Sequence, residues 1–290
     1  MLQQMPTSQE IPNQNLIQND LIQLDIKRLN LVHPQISGNK FFKLKYNLQQ
    51  AQQQHKTGVL TFGGAYSNHI AATAYAAHLL GLHSIGIIRG EELATQSLNP
   101  TLCTAQSFGM QFQFISRQDY RQRQDAAFLQ QLAQQYPDVY IIPEGGTNAF
   151  AIQGCKEILS EQDLANYDVF CCAVGTGGTI AGLVESSQTQ HQVLGFSALK
   201  GDFLQHDVAR LTSKQNWTIL DDYCCGGYAK TTPELQQFMQ QFEAKYHVPL
   251  EQVYTAKMLM GVFDLIEQGY FAQDTRILAI HTGGLQGRQI

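Results

Sequence analysis

The chain has 290 residues, 43% hydrophobic and 15% charged, enough for one large core or two smaller ones. A net charge of -5 and a pI near 6.0 leave no basic excess, so no nucleic-acid partner is expected. Met1 to Asp20 is polar and Gln-rich and lacks the basic start and apolar run of a secretory signal, so a cytoplasmic protein is expected.

In chain order, a glycine bend at Gly38 leads into a helical pattern from Phe41 to His55, whose Gln49 to Gln54 read as solvated surface. A β-prone run, Gly58 to Gly64, precedes an Ala-rich helical pattern, Ser67 to Leu80. Ile70 to Ile88 is uncharged, yet Gly81 divides it and Thr73, His78, His83 and Ser84 interrupt it. Helix followed by strand, not a membrane span, is expected there. Further β-prone runs are Ser84 to Gly90, Val139 to Gly146, Asp168 to Gly175, Val193 to Gly201 and Arg276 to Gly284. Helical patterns fall at Asp125 to Gln135, Gly178 to Ser187 and Pro233 to Tyr246. Strands alternating with helices predict an α/β fold with mostly parallel sheets covered on both faces. Ligands of such sheets bind beyond the carboxyl ends of the strands, where the glycine pairs of this chain collect.

The six cysteines form no C-x-x-C pair, and no histidine spacing suggests zinc, so no metal is expected. Cys171 and Cys172 are adjacent on a strand and should pack on opposite faces as small apolar residues. A redox role for Cys224 and Cys225 is disfavoured.

Chemistry concentrates in a few motifs. In Ser37-Gly38-Asn39-Lys40-Phe41-Phe42-Lys43-Leu44-Lys45, the bend delivers Lys40 to a first helical turn. Partial desolvation and the nearby Lys43 would free its amine to attack a carbonyl. The competing reading is a wet face of three lysines. Gly175-Thr176-Gly177-Gly178-Thr179 ends a strand and opens a helix, a geometry whose N–H groups converge on an anion. A P-loop would need Gly-Lys-Ser/Thr here. A dinucleotide site would need glycine at Ile180 and an acid ending the next strand; neither pattern is present. A Schiff-base lysine and a phosphate cradle are together the two attachments of pyridoxal phosphate.

Ser67, Asn68 and His69 precede the Ala-rich helix. They either cap it or grip a substrate carboxylate, with Asn68 reaching a phenolic oxygen of the cofactor. Tyr228 and Tyr254 are either proton donors or ordinary amphipathic packing. Thr282 would offer a neutral hydroxyl to a pyridine nitrogen, which suits elimination better than transamination. His281 beside it reads as a core residue.

With these residues in this order, the chain resembles the 1-aminocyclopropane-1-carboxylate deaminase / D-cysteine desulfhydrase family, from Lys27-Arg28 through Gly38-Asn39-Lys40 to His281-Thr282-Gly283-Gly284. The resemblance implies the tryptophan-synthase-β type of fold, pyridoxal-phosphate fold type II, with two three-layer αβα domains. The small domain would be residues 54–150, and the large one 1–53 with 151–290. It implies Lys40 as the cofactor lysine, Gly175 to Thr179 as the phosphate loop and Asn68 at the ring oxygen. It implies Ser67 in substrate contact and proton transfer, Tyr228 and Tyr254 as active-site tyrosines, and Lys43 as a base that biases proton transfer. It also implies a homodimer acting on a small amino acid. In the deaminase branch a Glu follows the second tyrosine and a Leu precedes the last Gly-Gly. Here those positions are Thr255 and Thr282, as in the desulfhydrase branch. The expected reaction is therefore elimination from D-cysteine or a similar small D-amino acid, with ring opening of 1-aminocyclopropane-1-carboxylate as the alternative. The ending Leu285-Gln286-Gly287-Arg288 differs from both branches, which leaves room for a sibling substrate; a non-catalytic cofactor-binding role ranks below both reactions.

Overall fold

A computed structural model describes residues 10–288. The first nine residues of the polar N-terminal stretch therefore lie outside the described residues. The chain builds two sheets. The larger takes strands β1 (Asn13–Gln18), β2 (Ile22–Lys27), β7 (Val169–Val174), β8 (Gln192–Ser197), β9 (Trp217–Leu220) and β10 (Thr275–Ile280), in the order β1-β2-β10-β7-β8-β9. The smaller takes β3 (Gly58–Gly63), β4 (His83–Arg89), β5 (Met110–Ile115) and β6 (Val139–Ile142), in the order β5-β4-β3-β6. Among the described residues only the β1–β2 pair is antiparallel, at the edge of the large sheet. The helices are α1 (Asn39–Gln53), α2 (Asn68–Leu79), α3 (Pro100–Ser107), α4 (Arg117–Tyr120), α5 (Ala126–Gln135) and α6 (Ala149–Cys155). They continue as α7 (Glu161–Asn166), α8 (Gly178–Ser186), α9 (Phe203–Ala209), α10 (Pro233–Tyr246) and α11 (Thr255–Glu267).

The predicted strands and helices appear, and the mostly parallel α/β class holds. Ile70 to Ile88 divides at Gly81 into α2 and β4, and among the described residues no helix is long and apolar enough to cross a membrane. The run from Val193 leaves its strand at Ser197, earlier than its apolar pattern extends.

One apolar cluster joins the sheets. Phe41, Phe42, Leu44 and Leu48 of α1 pack with Val59 and Ile142 of the small sheet and with Phe170, Cys172 and Leu278 of the large one. A second cluster lies on the other face of the large sheet, where Cys171, Leu24 and Ile26 meet Met258, Leu259 and Val262 of α11. The two neighbouring cysteines thus enter different clusters, as strand alternation requires. Each large side chain buried this way contributes about 1.5–3 kcal/mol relative to exposure. Helix α6 lies between α1 and α8, the helices whose N-termini form the cleft. Gly154 permits that approach, because a Cβ there would stand 2.0 Å from the Phe42 carbonyl oxygen.

Candidate active site

The carboxyl ends of β3, β7 and β10 face one cleft. At its floor the start of α1 is pressed against the end of β10. Gly38 has φ 69°, and a Cβ on it would fall 1.9 Å from the Thr282 carbonyl oxygen, so only glycine fits. The Asn39 amide donates to that same carbonyl at 3.2 Å. The next residue, Lys40, is half-buried, and its Nζ donates to Asn39 Oδ1 at 2.8 Å. Asn39 Nδ2 in turn donates to Thr179 Oγ1 at 2.8 Å, which ties the lysine to the glycine-rich loop. Burial, and then the charge of Lys43, bring the Lys40 amine down from 10.5 to about 7.

The wet-face reading of the three lysines fails at Lys43, which is 3% exposed. Its Nζ donates to the Gly145 carbonyl at 3.0 Å, Thr147 Oγ1 at 3.1 Å and Thr176 Oγ1 at 3.3 Å. Of the three, Lys45 turns away, pairing with Glu157 at 2.6 Å. Lys43 therefore points into the predicted anion cradle. The loop after β7 reaches Gly177 in a left-handed conformation and opens α8 at Gly178, leaving the first helical N–H groups without intrahelical acceptors. A Cβ on Gly178 would lie 2.8 Å from Thr147 Oγ1 and 3.2 Å from Lys43 Nζ. The helix N-terminus, two threonine hydroxyls and an ammonium thus converge on one spot.

Ser67 caps α2, its Oγ accepting from the Ile70 amide at 3.4 Å, and the residue is only partly buried, so the capping reading holds. Behind it, Asn68 Oδ1 is buried without a partner among the described residues. His69 Nε2 lies 2.8 Å from Thr61 Oγ1, and Thr61 donates its hydrogen to the Ile142 carbonyl at 2.9 Å. The hydrogen between ring and hydroxyl therefore belongs to Nε2, and Nδ1 is a bare acceptor, buried and unpartnered among the described residues. Burial, with the charges of Lys40 and Lys43, holds this ring well below the usual histidine range, so it stays neutral.

Tyr228 and Tyr254 stand with ring centroids 6.3 Å apart. A Cβ on Gly175 would lie 3.1 Å from the Tyr254 ring, so this tyrosine flanks the glycine-rich loop. Burial raises the Tyr254 phenol well above its usual value, the 41% exposed Tyr228 is raised as well, and both stay protonated. Two buried charges not singled out in the sequence hold this wall. Lys257 Nζ donates to the carbonyls of Cys224 and Gly227, both at 2.8 Å, and so fixes the loop that carries Tyr228. Glu251 accepts from the amides of Val253 at 2.7 Å, Tyr254 at 2.7 Å and Thr255 at 2.6 Å, clamping the start of α11. Thr255 is fully buried, and its Oγ1 accepts from the Glu251 amide at 3.1 Å, away from the cleft. Thr282 remains beside the lysine. His281 is fully buried against the Pro249 carbonyl at 2.8 Å and is a core residue. Lys40, Lys43, Thr176 and Tyr254 thus gather around the glycine-rich loop, whereas Lys45 and His281 do not join them.

These residues fit pyridoxal phosphate. Lys40 would supply an amine that is half neutral at pH 7, Thr176 to Thr179 with Lys43 would cradle the phosphate, and Asn68 and His69 carry buried polar atoms unpartnered among the described residues. Bound there, the cofactor would supply an electron sink for charge developing on an amino-acid carbon.

The comparisons with known proteins agree. The profile of the family described as "Pyridoxal-phosphate dependent enzyme" matches residues 20–283. A Thermotoga maritima protein named as a candidate 1-aminocyclopropane-1-carboxylate deaminase is 31% identical, over 90% of this chain and 88% of its own length. The mitochondrial bifunctional D-cysteine desulfhydrase/1-aminocyclopropane-1-carboxylate deaminase of Arabidopsis thaliana is 30% identical, over 91% of this chain and 73% of its own. A solved structure of a homologue of 1-aminocyclopropane-1-carboxylate deaminase superposes with a TM-score of 0.82 at 26% identity, covering 99% of this chain and 94% of that one. A hydrogen sulfide-producing enzyme from Fusobacterium nucleatum, at 12% identity and TM-score 0.70 over 96% of each chain, shares the fold. The chain is accordingly a pyridoxal-phosphate-dependent enzyme of fold type II and belongs to the 1-aminocyclopropane-1-carboxylate deaminase / D-cysteine desulfhydrase family.

Proposed function

We propose that this enzyme eliminates the β-substituent of D-cysteine or a similar small D-amino acid, so that D-cysteine and water give pyruvate, ammonia and hydrogen sulfide. The observation that carries the choice lies at the start of α11. The position after Tyr254 is a threonine whose hydroxyl is engaged by the Glu251 main chain. Both oxygens of the nearby Glu251 carboxylate are occupied by amides. No carboxylate there is available for the different proton handling that a ring-opening substrate, which has no α-hydrogen, requires.

The chain's own groups divide the work. The N-terminal amides of α2, with Ser67 and Asn68, hold the substrate carboxylate. The Lys40 amine, near neutrality at pH 7, takes the α-proton, with the Ser67 hydroxyl beside its path. Tyr254 and Tyr228, kept protonated by burial, supply the proton to the departing group. Thr282 would offer a neutral hydroxyl to the cofactor's ring nitrogen. Residues 54–150 form the smaller unit, which closes on the larger once substrate is bound.

The test is incubation of the holoenzyme with D-cysteine and assay of sulfide and pyruvate. Product no greater than with a Lys40→Ala control sinks the reading. The names of the relatives favour a second reading, 1-aminocyclopropane-1-carboxylate deamination, and appearance of 2-oxobutanoate from that substrate would establish it instead.

A further inference from the structure

The carboxyl end of β4 brings an arginine to the mouth of this cleft. A Cβ built on Gly64 would lie 3.5 Å from Arg89 Nη2. Gly64 opens the turn that ends at Ser67, whose amide donates back to its carbonyl at 3.0 Å. Arg89 is thus next to the proposed carboxylate grip without being part of it.

Arg89 is exposed at the end of β4, near one aromatic face and with no carboxylate partner among the described residues. The Arg89 guanidinium lies 5.8 Å from the ring centroid of Tyr120, and that of Arg123 lies 5.0 Å from the same centroid. Tyr120 donates to Glu144 Oε1 at 2.6 Å, and Arg123 Nε donates to Glu144 Oε2 at 2.6 Å. The cluster therefore holds two guanidinium groups and one carboxylate, and the carboxylate is taken by Arg123. Among the described residues Arg89 has no ion pair. The positive charge of Arg89 also acts on the Tyr228 phenol, opposing its upward shift.

This arrangement leaves one part of an amino-acid substrate to meet Arg89. The α-carboxylate goes to the start of α2 and the α-amine to the Lys40 side. The side chain is then the part left to extend toward Arg89, beside the turn before α2. A guanidinium steadied on an aromatic face presents a planar fork that matches an oxyanion. We propose that Arg89 reads the substrate's side chain, and that the preferred substrates are small amino acids whose β-substituent is negatively charged. This rests on the reading of the site as a β-eliminating amino-acid site. In such a reaction the bond from the β-carbon to the substituent breaks, the substituent leaves with the electron pair, and the α-proton passes to Lys40. Water then completes release of pyruvate and ammonia.

The experiment compares two substrates with good leaving groups that differ in charge, D-serine O-sulfate and 3-chloro-D-alanine, on the holoenzyme, with pyruvate as readout. In the unmodified enzyme kcat/KM for the sulfate ester should exceed that for the chloride by at least tenfold. In Arg89→Gln the ratio should fall toward one, and Arg89→Lys should retain part of it. A ratio near one in the unmodified enzyme overturns the proposal. So does an equal loss on both substrates in Arg89→Gln, which would assign the arginine to the shared α-carboxylate. Pyruvate from neither substrate would count against the eliminating activity itself. The arginine is then judged by calorimetric titration with D-aspartate and D-asparagine. A tenfold preference for aspartate that disappears in Arg89→Gln supports it, and equal affinities in the unmodified protein overturn it.

Discussion

Lys43 adds to burial in lowering the proton affinity of Lys40, and the size of its share follows from the helix that carries both. Residues three apart on a helix have β-carbons about 5–6 Å apart. Two ammonium groups one helical turn apart, in an effective dielectric of about 20, repel by roughly 2 kcal/mol, which is about 1.5 pKa units. The Lys40 amine stands at about 7, lowered first by burial and then by Lys43. Replacing Lys43 by methionine removes the second cause and leaves the first, so the pKa should rise by about one to two units. The sign is fixed by the chemistry, since only the neutral amine attacks the cofactor aldehyde. At pH 7 the neutral fraction falls from about half to a few per cent, and the rate of cofactor attachment falls by roughly tenfold. Above pH 9 the rate should recover. The assay mixes apo-protein with pyridoxal phosphate and follows the cofactor absorbance from pH 6 to 10. Lys43→Arg, which keeps the charge, should retain the low inflection. An inflection near 7 that persists in Lys43→Met would refute the reasoning.

Three further perturbations bear on the site and its frame. Gly38→Ala should destabilise the protein by at least about 2 kcal/mol and abolish cofactor attachment, because the new Cβ meets the Thr282 carbonyl and the φ is left-handed; a melting temperature and absorbance like the unmodified protein's would contradict this. Lys257→Met should release the Tyr228 loop and lower kcat by about 10- to 100-fold while leaving cofactor affinity within about threefold; unchanged turnover would mean that the loop is held by other contacts. Lys27 and Asp163 pair at 2.7 Å with side chains 2% and 3% exposed. Asp163→Ala should therefore cost about 3–5 kcal/mol in urea unfolding, because the buried ammonium loses its partner, and a loss under about 1 kcal/mol would show that water reaches the pair.

What the sequence discloses here is tied to local rules. Gly38, Gly175 and Gly177 stand at strand and helix ends where a backbone must turn tightly or approach a ligand, and the residues beside them, Lys40, Thr176 and Thr179, inherit the site from that position. Lys43 is legible as the helical neighbour of Lys40. Lys257 and Glu251 are not legible in the sequence, because a charged residue within or just before an apolar helix reads as surface. Their burial is offset by main-chain groups, and those of Lys257 lie 30 and 33 residues away. His69 was placed by its motif, yet its tautomer depends on Thr61 and Ile142 in the small sheet. Strands β1 and β2 were missed for a related reason. Asn13 to Gln18 is polar because it is an edge, and Asp25 and Lys27 hide the apolar character of β2 until Tyr167 and Asp163 pair with them. Helix α6 is short and carries Gly154, which costs helix propensity and is required only by its contact with Phe42.

The central claim is that the amine at position 40 holds the cofactor. Protein incubated with pyridoxal phosphate, reduced with borohydride and digested should yield one peptide heavier by the pyridoxyl phosphate group, with the modification on Lys40. The label on a different lysine, or none under cofactor excess, would contradict the account.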